Sequence, residues 1–202
     1  MNVRYALFDL GRVVLDWEPS RLYSKIFDDA SERDWFLENV CTMAWHTRHD
    51  AGETFADTRP ALIAEFPKYE TEIRAWSERW MEMFDGYVEG TPQLIERLAE
   101  KGIPLYALTN MPSETKPMMD EHFPLLTVFQ DIIVSGDEKL VKPDPAIYEL
   151  TLKRMGTSNP SNVIFIDDSE KNIAAAGALG FETHLFRGTE GLEKKLVKVG
   201  LL

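Results

Sequence analysis

The chain has 202 residues, 44% of them hydrophobic and 28% charged, with 34 acidic against 22 basic side chains and a formal net charge of −12. A field of that sign repels a polyphosphate backbone, so nucleic acid is excluded as an expected partner, and a lone cysteine, Cys41, excludes an internal disulfide and points to a reducing compartment. Asp9 and Arg12 interrupt the first apolar stretch, which gives it no signal-peptide layout, and no apolar run is long enough to span a membrane. A cytoplasmic protein with no membrane partner is expected.

The first apolar run, 3–8, reads as a strand buried on both faces, because its apolar residues are continuous rather than alternating. It leads into "FDLGRVVLDW", where Asp9 stands at a turn before a second apolar run. Between Leu15 and Glu89 no strand is expected and several helices are. "SERDWFLENV" opens with a Ser-x-x-Asp capping signature, and "YETEIRAWSERWMEMF" puts Ile73, Trp76 and Trp80 on one helical face. All five tryptophans fall in this interval. It predicts a small all-helical domain over 16–88, inserted after the first strand, with 1–15 and 89–202 forming the main domain.

From residue 89 helices and strands alternate. In "TPQLIERLAEKG" Thr91 is the expected N-cap, Pro92 the first helical residue and Gly102 the stop. Strands are expected at 103–108, 131–134, 163–166 and 182–186. Between them, "PDPAIYELTLKRMG" is capped by Asp144 and stopped by Gly156, and "DSEKNIAAAGALG" supplies small residues for close helix–sheet packing. This alternation predicts an α/β fold with a doubly wound, Rossmann-like parallel sheet.

In such sheets ligands bind beyond the carboxyl ends of the strands. The residues that close the predicted strands there are Asp9, Thr109 with Asn110, and Asp167 with Asp168, and Lys142 lies in the loop before a helix start. Each alone is ordinary turn or capping chemistry; all together suit phosphoryl transfer. Asp9 and Asp168 can share a Mg2+ ion, which takes one or two carboxylates together with waters and phosphate oxygens. A carboxylate can also attack phosphorus and form an aspartyl-phosphate. Thr109 can donate to a phosphate oxygen, Lys142 can hold Asp9 ionised, and Asn172, four residues after Asp168, can orient that carboxylate.

These four segments resemble the motifs of the haloacid dehalogenase-like hydrolase superfamily over the whole chain. "FDLGRVVLDW" resembles the first, which implies Asp9 as nucleophile; "YALTN" the second, with Thr109 as phosphate ligand; "VKPDPAIY" the third, with Lys142; and "FIDDSEKN" the fourth, with Asp168 as main metal ligand and Asp167 beside it. The resemblance implies a doubly wound sheet with a helical cap inserted after the first motif, Mg2+ as cofactor and a small phosphorylated substrate.

Phosphatases of this superfamily mostly carry a second acid two residues after the nucleophile, where this chain has Gly11. The Gly11 carbonyl can still bind metal, but the proton-transfer group is gone. The superfamily's dehalogenases also lack that acid, which makes a metal-independent 2-haloacid dehalogenase the main alternative. They carry serines in place of Asp167 and Asp168, so the acid pair favours phosphate chemistry. A non-catalytic ligand-binding or regulatory protein on the same fold is a third reading. A general acid contributes about 10²–10⁴ in rate, and a weakly basic leaving group recovers part of that. Together with the "FDLG" and "DD" patterns, which resemble a bacterial subgroup that includes glucose 1-phosphate phosphatases, this leans toward a sugar 1-phosphate. "WHTRHDAGE" resembles a substrate-facing segment of that subgroup, which implies Trp45, His46 and Asp50 at the substrate. Asn110, at the end of its strand, and Arg12, whose charge suits an anionic substrate, are expected there as well. Asp16, Asp50, His46 and His49 are the candidates for the missing proton-transfer group.

Overall fold

The computed structural model describes residues 3–202; Met1 and Asn2, the first two residues of the expected segment 1–15, lie outside the described residues. In chain order, β1 (Tyr5–Phe8) and β2 (Leu15–Trp17) precede five helices, α1 (Pro19–Tyr23), α2 (Ala30–Asn39), α3 (Met43–Asp50), α4 (Phe55–Glu65) and α5 (Glu70–Glu78). Then come β3 (Phe84–Tyr87), α6 (Thr91–Glu100), β4 (Leu105–Thr109), α7 (Lys116–His122), β5 (Asp131–Val134) and α8 (Ser135–Glu138). The chain closes with α9 (Pro145–Arg154), β6 (Val163–Asp167), α10 (Glu170–Ala178), β7 (Glu182–Leu185) and α11 (Thr189–Val199).

Five strands form one parallel sheet in the order β5-β4-β1-β6-β7, with Phe8 opposite Ala107 on one side and Ile166 on the other. Side chains alternate between faces, and both faces are covered, as a parallel sheet requires. Ala6, Phe8, Ala107, Ile164 and Ile166 join the core that continues into the tryptophan-rich interval. Leu7, Leu108, Val163 and Phe165 face a second core against Ile147, Tyr148 and Ala176. The expected doubly wound α/β fold is therefore present, and each of the five apolar runs forms a strand of this sheet. No helix of the described residues is long and apolar enough to cross a membrane.

The helical interval departs from expectation in three ways. It is not free of strands: β2 pairs antiparallel with β3, extended by a Val88 N–H···O=C Val14 bond of 3.0 Å and a Glu18 N–H···O=C Met83 bond of 2.8 Å. This ribbon carries the chain out to α1 and back from α5. Its partners are about seventy residues apart and β3 contains Gly86 in the left-handed region (φ 76°), so no local pattern announces it. The second departure is at α2, whose N-cap is Asp29, accepting from Ser31 N at 2.8 Å, and not Ser31 itself. The third is at α5, which stops at Glu78 and leaves Trp80 in a 3₁₀ turn. Further along, the α6 cap is Gly90 (φ 78°) rather than Thr91.

Candidate active site

The chain leaves β1 toward β4 and β5 and later returns to β6, on the other side of β1. The crevice for a ligand lies where the winding direction reverses, at the carboxyl ends of these strands. Asp9 follows β1, Thr109 ends β4, and Asp167 ends β6 with Asp168 next. The turn after Asp9 is tight: the Leu10 carbonyl accepts from Val14 and Leu15 N–H at 2.9 Å each, and Arg12 sits in the left-handed region (φ 60°), an uncommon place for a long side chain. The Arg12 side chain is half exposed, pairs with Glu18 at 3.0 Å and lies over the Trp17 ring.

Lys142 organises the centre. Its ammonium is 3.0 Å from Asp9 Oδ1 and 2.7 Å from Asp167 Oδ2, and it donates to the Leu108 carbonyl at 3.0 Å. Asn110 fixes its backbone from both sides, accepting from Lys142 N at 2.9 Å and donating to Lys142 O at 3.1 Å. Burial would push the lysine down, but the two carboxylates hold it above its ordinary value, so it is a cation throughout the neutral range. Burial pushes the Asp9 carboxyl up to about 8, against the pull of Lys142. Asp168, half buried, is also raised by burial and then by Asp167, with Arg12 and Lys142 opposing.

Asp167 is wholly buried and its oxygens are engaged. Oδ1 accepts from Ser169 N at 2.8 Å, Oδ2 from Lys142, and Asn172 Nδ2 donates to both at 3.0 and 3.1 Å. This corrects one expectation: Asn172 holds Asp167, not Asp168. Ser169 is the N-cap of α10, so Asp168 precedes the helix and the i,i+4 relation does not apply to it. Oxygens of Asp9, Asp167 and Asp168 lie within 4.8 Å of one another. An all-carboxylate set suits a hard cation such as Mg2+, and Asp9 and Asp168 have more open lone pairs than Asp167.

Helix α3 supplies the opposite wall. Gly52, just past its end, lies with φ 95° against the α8 segment; a Cβ there would fall 2.9 Å from the Gly136 carbonyl and 2.8 Å from Lys139 Cγ. Only glycine permits that approach. It seats the helix end beside the loop that carries Lys142. Met43, His46, Thr47 and Asp50, on one helical stripe, then line a cleft of about 220 Å³ with Asp9, Gly11, Arg12, Thr109, Asn110, Lys142, Asp168 and Asn172. Met43 and Thr47 were not among the expected residues; the i, i+3, i+4, i+7 spacing from Met43 is the signal for them. Trp45 does not line the cleft. It is on the other face of α3, packed against Trp76, Phe55 and His49.

Asp50 is 5% exposed, and burial raises its carboxyl to about 7, with Lys142 opposing. His46 Nε2 is 3.4 Å from Asp50 Oδ1 without forming an aligned hydrogen bond, and burial, then His49, lowers that imidazole to about 3. His46 is therefore neutral. His49 is lowered to about 4, first by burial, and bonds Thr58 Oγ1 at 2.6 Å, away from the cleft. Asp16 is bound to Arg21 at 2.7 Å and is likewise not on the cleft wall. Of the four candidates for proton transfer, Asp50 and His46 alone face the cleft, and of these two it is Asp50, raised to about 7, that can exchange a proton near neutrality.

A second space opens beside Gly11. It encloses about 50 Å³, about 340 Å³ when the open mouth is counted, and its walls are mainly apolar. It shares Gly11, Trp17, His46, Thr109 and Asn110 with the acidic cleft, so the two adjoin along these residues. Nothing in the sequence reading pointed to it, because its walls come from five separate segments.

The family model described as haloacid dehalogenase-like hydrolase matches residues 6–180. The sesquiterpene phosphatase astK of Aspergillus oryzae is 34% identical over 87 residues, 43% of this chain and 44% of that protein. The chain spans less than half the length of that relative and of a drimenol cyclase, drtB, from Aspergillus calidoustus. A phosphoglycolate phosphatase of Escherichia coli is 27% identical over 89% of this chain and 79% of its own length; an (S)-2-haloacid dehalogenase of Burkholderia cepacia is 25% identical over 90% and 82%. Among solved structures, the HAD family enzyme bt-2542 of Bacteroides thetaiotaomicron superposes with a TM-score of 0.73 at 20% identity, covering 97% of this chain and 99% of that one.

Proposed function

The chain belongs to the haloacid dehalogenase-like hydrolases, and within that family we propose that it is a Mg2+-dependent phosphatase of a small phosphorylated metabolite, acting through an aspartyl-phosphate on Asp9. The observation that carries this reading is the buried Lys142 held between Asp9 and Asp167, with Asp168 at the same edge. A dehalogenase has no use for this third carboxylate. Phosphatase relatives support the same reading.

Asp9 and Asp168, with the Gly11 carbonyl and Asp167 beside them, would hold the ion, whose charge would offset that of the phosphoryl oxygens and keep Asp9 ionised. Thr109 and Lys142 bind those oxygens, with Lys142 fixed by Asn110 and Asp167 fixed by Asn172. Asp9 attacks phosphorus in line with the ester oxygen. Asp50, protonated near neutrality, donates to the leaving oxygen and then, ionised, accepts a proton from the water that attacks the aspartyl-phosphate. His46 and Arg12 border the substrate, and residues 16–88 act as a cap over 1–15 and 89–202. A donor placed on the cap rather than two residues after Asp9 is less closely bound to the reacting bond. Esters with weakly basic leaving groups, which include sugar 1-phosphates, acyl phosphates and aryl phosphates, therefore turn over best.

A screen of phosphorylated metabolites with Mg2+ and with chelator tests the reading. Phosphate release that requires Mg2+ is expected. Halide release from 2-haloacids that survives chelation would favour the dehalogenase instead, and ligand-induced stabilisation without any turnover would favour a binding protein.

A further inference from the structure

The space beside Gly11 has a composition unlike the cleft it joins. Leu15, Trp17, Trp80, Phe84, Met111 and Met119 supply most of its wall. Three of its bordering rings form a triad, with Trp17, His46 and Trp80 centroids 5.5–5.9 Å apart. A ring nitrogen on each, Nε1 of Trp17 and of Trp80 and Nδ1 of His46, is buried without a hydrogen-bond partner. A Cβ on Gly11 would meet nothing within 4 Å, so the absent side chain leaves the passage from Asp9 into the slot open.

On the phosphatase reading above, which this step rests on, we propose that the slot receives the organic part of the substrate and that the substrate is an aryl phosphate, the phosphomonoester of a planar aromatic alcohol. A sugar would place several hydroxyls against apolar walls, where each unpaired hydroxyl is costly. A flat ring stacks on the Trp17–His46–Trp80 triad. The chemistry agrees with the shape. An Asp9 oxygen forms the bond to phosphorus while the P–O bond to the ring breaks, and the electron pair leaves as a phenolate. Phenols ionise near pH 10, so this departure makes little demand on an acid at position 11. Water then attacks the phosphorus of the aspartyl-phosphate, giving inorganic phosphate, the free carboxylate and a proton.

The test compares kcat/KM for phenyl phosphate, 2-naphthyl phosphate, glucose 1-phosphate and acetyl phosphate at saturating Mg2+, and measures 2-naphthol binding to the wild-type protein by calorimetry. Expected are aryl esters at least tenfold above glucose 1-phosphate, and naphthol binding that competes with the aryl esters. Met119→Phe, which narrows the slot, should lower kcat/KM for 2-naphthyl phosphate at least tenfold more than for acetyl phosphate, which is too small to need the slot. Glucose 1-phosphate equal to or above the aryl esters, or no naphthol binding at millimolar concentration, overturns the proposal while leaving the phosphatase reading in place. Failure to turn over any ester, acetyl phosphate included, overturns the phosphatase reading itself. Should Met119→Phe not fold, the wild-type ester series and the naphthol titration decide the matter alone.

Discussion

Replacing Lys142 by methionine removes the one cation bound to two buried carboxylates while nearly preserving the volume of the side chain. Asp9 and Asp167 would then face each other, with Asp168 close by, and nothing between them. Breaking a buried ion pair by deleting one partner costs about 3–5 kcal/mol. For a chain of this length that corresponds to a Tm lower by about 6–20 °C. The pH dependence has a definite sign. Asp9 is already raised to about 8 in the wild type, so the folded state binds more protons than the unfolded one between about pH 4 and 8. Stability from this group therefore falls as pH rises through that window. In Lys142→Met the opposing pull of Lys142 on Asp9 is gone, so Asp9 rises further and the decline steepens, and the deficit is larger at pH 8 than at pH 5. Lys142 itself is charged at both pH values and adds no slope. On the proposed metal site, saturating Mg2+ would supply the missing charge and narrow the deficit at pH 8. Urea unfolding of both proteins at pH 5 and 8, with and without Mg2+, measures all of this. A deficit below about 1 kcal/mol at pH 8, or one equal at both pH values, would refute the argument that Lys142 is the counter-charge of this site.

Asp50→Asn should lower kcat/KM, which reports the first, phosphoryl-transfer step, by about 10²–10⁴ on alkyl phosphates and by less than tenfold on aryl phosphates. Wild-type kcat/KM on alkyl phosphates should fall above about pH 7 as Asp50 loses its proton, and the variant should lack that limb. Equal losses of kcat/KM on both ester classes would mean a structural role. Asn172→Ala frees both Asp167 oxygens from their amide donor and should raise the Mg2+ concentration for half-maximal rate about 10–100-fold; an unchanged requirement in a folded variant would count against the positioning role. Gly11→Asp should fold normally, since Gly11 is not in the left-handed region and has open space around its Cα. It should raise rates on alkyl phosphates and, by narrowing the slot mouth, lower those on 2-naphthyl phosphate, both read from kcat/KM in the same ester series.

The parallel sheet was legible because four of its strands, β1, β4, β5 and β6, are nearly continuous apolar runs followed by a polar residue, as in Phe8–Asp9 and Ile166–Asp167–Asp168. Burial on both faces imposes that pattern locally. Asp144, Pro145 and Gly156 bounded α9 as expected because capping is also local. What depended on distant partners was not legible. The β2–β3 ribbon joins segments that flank five helices, and the slot beside Gly11 exists only once those helices fold back. Phase errors account for the rest. Without the start of α3, the sequence does not say that His46 and Asp50 share a face that Trp45 does not. Without the α10 cap at Ser169, Asn172 reads as the partner of Asp168.

The central claim is that Asp9 carries the phosphoryl group. Its most direct test is mass spectrometry on enzyme mixed with excess 2-naphthyl phosphate or acetyl phosphate and Mg2+, acid-quenched within a turnover and digested. One phosphoryl increment is expected on the peptide containing Asp9, appearing before steady state and missing in Asp9→Asn, which should be folded and inactive. Phosphate release in a single turnover with no phosphoryl group on that peptide, or full activity in Asp9→Asn, would contradict it.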